Sequence, residues 1–144
     1  LVYGHPSKEG TIDAPIDRHR LQRTKMAVVY SGKPAVTHYR LSETTAHCAW
    51  VDVKLETGRT HQIRVHMTHI GHPLVGDPVY RQGRPGLGHA TQKARVLIDG
   101  FPRQALHAKK LGLIHPSSGD LVEFEVPLAP DLNELLTSLR QVDV

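Results

Sequence analysis

Between Ala49 and Gly71 the hydrophobic period changes, and that change limits the fold more than any other feature of the chain. In AWVDVKLE, residues 49–56, Val51, Val53 and Leu55 alternate with Asp52, Lys54 and Glu56. Successive side chains of a strand point to opposite faces, so this run reads as a half-buried strand with one apolar face. After Gly58 the apolar residues fall at Ile63, Met67 and Ile70. Spacings of four and three form a stripe along a short helix. Thr60 is its expected N-cap and Gly71 its expected C′ residue.

The same reading extends along the chain. LVYG ends a strand, and KEGTIDAPI follows with Gly10 in an expected turn and Ile12 and Ile16 as apolar anchors. MAVVY leads to the turn SGKP, and AVTHYRL, residues 35–41, is a strand rich in β-branched and aromatic residues that pairs antiparallel with 49–56. Residues 81–103 hold four glycines and two prolines and read as a loop. ALHAKKLGLI and LVEFEV are strands around the turn HPSSGD. Asp131 and Glu134 are spaced as a capping box, opening a helix whose apolar face is Leu132, Leu135, Leu136 and Leu139. The expectation is an α+β domain on a largely antiparallel or mixed sheet, with a short central helix and a C-terminal helix. A length of 144 residues, 39% of them hydrophobic, suits one core.

Charge narrows the partners. The formal net charge is +4 before any of the 11 histidines is counted, which favours a polyanion, RNA or DNA before an acidic protein. Arg18, Arg20, Arg23 and Lys25 crowd into DRHRLQRTK beside a single aspartate. No run of about 18 apolar residues, the length a membrane helix needs, occurs. The lone Cys48 leaves no intramolecular disulfide and no cysteine zinc site, and a reducing cytoplasm is the expected location. LVYG opens the chain as a strand and not as a leader, so residues 1–144 are expected to belong to a longer protein.

The chemistry centres on LETGRTHQIRVHMTHIGHPLVGDP, where His61, His66, His69 and His72 fall within twelve residues. His61 and His66 are five apart, about 140° around a helix, and no HExxH occurs, so no metal is expected. GRTHQIR sets a glycine and an arginine before a helix start, where backbone N–H groups favour an anion, but the GxxxxGK[ST] loop of nucleoside triphosphate enzymes is missing. Asp77 near His72 and Asp52 on its strand are acid–base candidates without a GxSxG or a catalytic cysteine context. The spacings by themselves stop at a basic α+β domain that binds RNA.

HYRL, LETGRTHQIRVHMTHIGHPLVGDPVY and RQALHAKKLGLIHPSSG, in that order and spacing, resemble the catalytic domain of the RluA/RluD-type pseudouridine synthases, and the similarity covers nearly the whole chain. The resemblance implies the pseudouridine synthase fold and an isomerase of uridine in structured RNA, ribosomal RNA first and transfer RNA second, with no metal and no organic cofactor. It places the family's arginine at Arg64, where it would pair with the catalytic aspartate. Desolvation raises a carboxylate's pKa and a guanidinium lowers it, so the arginine would keep the nucleophile ionised and oriented. Leu106 in QALHA is the expected wall of the base pocket. Arg18, Arg20, Arg23, Lys25, Arg59 and Lys109 are the expected RNA contacts. The family's aspartate lies in an HRLD-type motif, which is absent; DRHRLQ carries Gln22 where the aspartate would stand, and it is misplaced. The family's active-site tyrosine falls before Leu1, and Tyr3 is out of register for it. Residues 1–144 are therefore expected to be a single partial domain, the C-terminal portion of the catalytic domain. It would be inactive without its nucleophile, and its open edge would be able to pair with another copy. The alternative is a non-catalytic RNA-binding module with a degenerate synthase fold.

Overall fold

The computed structural model describes residues 1–81 and 87–142. A four-stranded antiparallel sheet forms the centre, in the order β1 (Val2–Tyr3), β6 (Cys48–Leu55), β5 (Val36–Thr44), β2 (Glu9–Asp13). Two smaller ribbons flank it: β3 (Ile16–Arg18) with β4 (Met26–Val28), and β7 (Lys110–Ile114) with β8 (Leu121–Glu125). The helices are α1 (Gln62–His69), α2 (Gln92–Asp99) and α3 (Pro130–Val142). The fold is α+β on antiparallel pairing, as the alternation and the change of period require.

Strand alternation sorts side chains into two layers. Val2, Ile12, Tyr39 and Ala49 point to one face and pack with Met67 of α1 and Leu74, with Ile63, Ile70 and Leu106 partly buried at the margin. Leu1, Tyr3 and Cys48 point to the other and meet Ile98 of α2 and Leu132, Leu135 and Leu139 of α3. Beyond that second layer Thr11, Arg40, Asp52 and Lys54 are left in solvent. The expected stripe of α1 is thus in place, yet Gln62, Arg64, His66 and Thr68 are buried too. A helix wedged between a sheet, a hairpin and a loop has no wet face over most of its length.

Several expectations are corrected. Gly10 is no turn: it lies in β2 opposite Tyr39, whose ring covers it so closely that a Cβ would stand 2.7 Å from Cε1. Thr60 does not cap α1; His61 does, at φ 55° and without a side-chain cap bond. Residues 81–103 are not all loop, because Thr91 accepts the Ala94 amide at 3.2 Å and starts α2. Residues 82–86 of that stretch lie outside the described residues. The expected strand from Ala105 begins only at Lys110. Asp131 makes no capping box with Glu134; it takes the Leu132 amide and a two-pronged contact from Arg103 at 2.8 and 2.9 Å. Gly71 does end α1, at φ +88°, with its amide on Thr68 O and the His72 amide on Met67 O. Those two bonds form a Schellman motif that turns the chain back toward the helix.

Candidate functional site

The site begins with a buried amide. Gln62 donates through Nε2 to Val36 O and Thr37 Oγ1 at 3.0 and 2.9 Å. Its Oε1 accepts Thr57 Oγ1 at 2.7 Å and the Arg59 amide at 3.0 Å. All four hydrogen-bonding positions of the side chain are filled, so the start of α1 is fixed to β5.

Arg64 follows two residues on. Its side chain is 10% exposed and faces Asp77, which has no exposed side-chain surface. Nε reaches Oδ2 at 2.8 Å and Nη2 reaches Oδ1 at 2.9 Å. The Val79 and Tyr80 amides add bonds to Oδ1 at 2.9 and 3.0 Å. Burial pushes the Asp77 carboxyl up, but the Arg64 hydrogen bonds and the two amides outweigh it and hold the group below the usual carboxylate range. Hydrogen bonding to Asp77 raises Arg64, against the opposing effect of burial. The Arg64 guanidinium also lies 4.9 Å from the centre of the Tyr80 ring. Asp77 and Tyr80 then wall a cleft of about 210 Å³ together with Tyr3, Leu74, Arg81 and Phe101.

Sequence reasoning names Arg64 but not its in-chain partner, since it treats Asp77 only as an acid–base candidate beside His72. The signal is legible in GDPVY: an aspartate in a turn accepts amides two and three residues on, as Asp77 does. Gly76 permits the approach, at φ +77°, where a Cβ would collide with Arg103 O.

The four clustered histidines go to separate places. His61 Nδ1 is 2.7 Å from Tyr80 Oη, and His72 Nδ1 is 2.9 Å from Tyr3 O. His66 is fully buried between Thr37 Oγ1 and Ala14 O, while His69 is exposed. Among the described residues no three histidine, cysteine or acidic side chains gather as a ligand set. The basic residues divide as well. Arg18, Arg20 and Arg23 are exposed around the tip of the β3–β4 hairpin, with Arg18 Nη1 on Arg23 O at 3.1 Å and Lys25 half-buried below. Arg59 is half-buried at the entry to α1, with Nε on Pro34 O at 2.8 Å. Lys109 lies 3.6 Å from Asp52 and so belongs to the opposite face of the sheet. Leu106 packs on the margin of the α1 layer and does not line the cleft beside Asp77.

Comparisons with known proteins converge. The family described as RNA pseudouridylate synthase matches residues 1–69. Ribosomal large subunit pseudouridine synthase D of Nitrosomonas europaea is 51% identical over 99% of this chain and 40% of its own length. The protein of the same name from Pseudomonas aeruginosa is 54% identical over 98% of this chain and 44% of its own. The solved structure of human RNA pseudouridylate synthase domain containing 1 superposes with a TM-score of 0.69 at 28% identity, over 96% of this chain and 62% of that one. The chain thus spans about two fifths of the length of the curated relatives it matches. These matches run over nearly the whole chain, which is similar in sequence to pseudouridine synthases and shares the fold of a solved pseudouridylate synthase domain.

Proposed function

We propose that this chain is part of an enzyme that converts uridine to pseudouridine in structured RNA, with ribosomal RNA as the substrate class and the cytoplasm as its location. Residues 1–144 act as the C-terminal portion of a catalytic domain whose nucleophilic aspartate comes from elsewhere in the protein. The carrying observation is the buried, oriented guanidinium of Arg64. Asp77 takes two of its N–H groups and an arginine has five, so three remain to receive a second carboxylate. That geometry suits an aspartate that must stay ionised where a base is enclosed. The reaction breaks the bond from N1 to C1′, joins C5 to C1′, releases the C5 hydrogen as a proton and leaves N1 carrying a proton, so atoms balance with no cofactor. The uridine has to leave its stack to arrive, and Leu106 is the proposed wall against it. Arg18, Arg20, Arg23, Lys25 and Arg59 contact phosphates on the α1 side, and Lys109 extends the contact on the other face. In isolation, residues 1–144 pair with a second copy over their exposed apolar edge.

The test is Arg64→Lys in the intact protein, assayed by tritium release from RNA labelled at C5 of uridine. Lysine offers a point charge and not a fork, so turnover should fall on the order of 10²-fold, while RNA affinity holds within about twofold. Near-normal turnover would sink the assignment. The competing reading, a non-catalytic RNA-binding module with a degenerate synthase fold, is favoured by the carboxylate that Arg64 already holds in Asp77. It predicts that the intact protein binds RNA and releases no tritium. The proposed division of the site predicts that residues 1–144 by themselves release none while the intact protein does.

A further inference from the structure

We propose that Tyr80 is a positioning residue that couples the basic hairpin to Arg64, an inference that rests on the pseudouridine synthase reading above. Its hydroxyl accepts the Met26 amide of β4 at 2.9 Å and lies 2.7 Å from His61 Nδ1. The residue is 6% exposed, and its ring stacks beneath the Arg64 guanidinium at 4.9 Å. Its own amide is bonded to Asp77 Oδ1. One residue therefore touches the hairpin beside its loop, the first residue of the α1 turn and both members of the ion pair.

The hairpin is also held at its open end, where Ile16 exchanges two backbone hydrogen bonds of 2.9 Å with Lys33. Ile16 and partly buried Met26 and Val28 pack on Val65 and Tyr80, and the tip with Arg18, Arg20 and Arg23 stands in solvent. On the Arg64 side its hold is thus this apolar contact plus the Tyr80 hydroxyl on the Met26 amide. Because that hydroxyl accepts from Met26, its one proton is free to go to His61 Nδ1, and both bonds hold at once. His61 sits at φ 55°, a backbone state in which histidine is uncommon, and the hydroxyl fixes the ring there. Tyr80 has two separable parts: the hydroxyl sets where the hairpin presents its arginines, and the ring sets the plane of Arg64. RNA held by the hairpin is thereby registered against the guanidinium that orients the nucleophile.

The intact protein and its variants would be compared by tritium release and by RNA binding. Tyr80→Phe keeps the ring and removes the hydroxyl: KM for RNA should rise about tenfold with kcat within about twofold of wild type. Tyr80→Leu removes the ring, and kcat should fall by more than about tenfold beyond the Tyr80→Phe value. In a double-mutant cycle, Arg20→Ala with Arg23→Ala should raise KM less in the Tyr80→Phe background than in wild type, because the grip is already unregistered. A merely structural tyrosine would lower thermal stability in both variants and leave KM and kcat of the folded protein unchanged, which overturns the proposal. Equal losses of kcat in both variants overturn it too. Should Tyr80→Phe not fold, His61→Asn keeps a residue that tolerates the left-handed backbone and should raise KM by about threefold with kcat kept. An unchanged KM there counts against the coupling. A wild-type protein that releases no tritium refutes the synthase reading instead, and the coupling is then decided by amide exchange at Met26, which should quicken in Tyr80→Phe and overturns the proposal where it does not.

Discussion

Asp77 receives two hydrogen bonds from Arg64 and one each from the Val79 and Tyr80 amides, on a side chain without exposed surface. Removing the carboxylate strands a buried guanidinium, so Asp77→Ala should destabilise the fold by about 3–5 kcal/mol in a urea titration. A loss below about 1 kcal/mol would mean that water reaches Arg64 unaided. His66 makes a different prediction. With Nε2 donating to Ala14 O and Nδ1 accepting from Thr37, it holds one proton and is neutral. Burial lowers its pKa, against the opposing effect of the Ala14 bond. The unfolded chain then binds a proton that the folded chain refuses. The stability from His66 is complete above the unfolded value near 6.5 and is lost as pH falls toward the lower folded value. His61, lowered chiefly by burial and then by Arg64, acts in the same direction. Urea midpoints should fall from about pH 7.5 to about pH 5.0, before any loss from Asp77 sets in below its ordinary range. A flat profile over that interval would show that the folded chain protonates His66 and His61 as readily as the unfolded chain does.

At the scale of elements, the loop from Gly71 to Tyr80 decides whether α1 and Asp77 meet. Gly71 and Gly76 both have positive φ, but a Cβ at Gly71 meets nothing within 4 Å, whereas one at Gly76 collides with Arg103 O. Gly71→Ala should cost about 1–2 kcal/mol, the price of the left-handed backbone, and Gly76→Ala distinctly more, measured by thermal unfolding. Similar losses would show that the backbone around Arg103 yields. Legibility follows the same physics. The β5–β6 pair, α1, the β7–β8 turn and the α3 stripe are readable because period and apolar contrast encode them directly. α2 is hidden by glycines and prolines on either side, although Thr91, Ala94, Ile98 and Gly100 spell a cap, a buried face and a stop. The role of Gly10 cannot be read locally, since the ring that demands it is on another strand. In the site, Arg64 comes from resemblance; Asp77 and Tyr80 escape a reading of the sequence because their partners are set by how the loop closes. The hairpin makes the electrostatic prediction at this scale. Replacing Arg18, Arg20 and Arg23 with alanine should flatten the log–log salt dependence of RNA affinity by about 0.7–0.9 for each phosphate no longer neutralised. An unchanged slope would place the RNA elsewhere.

Across the whole molecule, burial is uneven. Most of the core lies against the central sheet, while the β7–β8 ribbon leaves Leu111 60%, Leu113 39% and Phe124 56% exposed. These residues and Val122 share one face of the ribbon by their pairing, Leu111 with Phe124 and Leu113 with Val122. A two-stranded ribbon is marginal by itself, and its free edges are templates for further strands. Residues 1–144 should therefore self-associate with rising concentration in sedimentation runs, and Leu111→Lys with Phe124→Lys should return them to monomer. An unaltered distribution would place the interface elsewhere. The Schellman turn at Gly71 has a consequence for dissection. The family match ends at residue 69, on the near side of that turn, and so divides Arg64 from its carboxylate. Nicking the backbone between Gly71 and His72 would leave each piece with half of the ion pair and half of the Val2–Leu74 bridge. Neither piece should fold singly, yet an equimolar mixture should regain structure by fragment complementation, with the buried pair as the clasp.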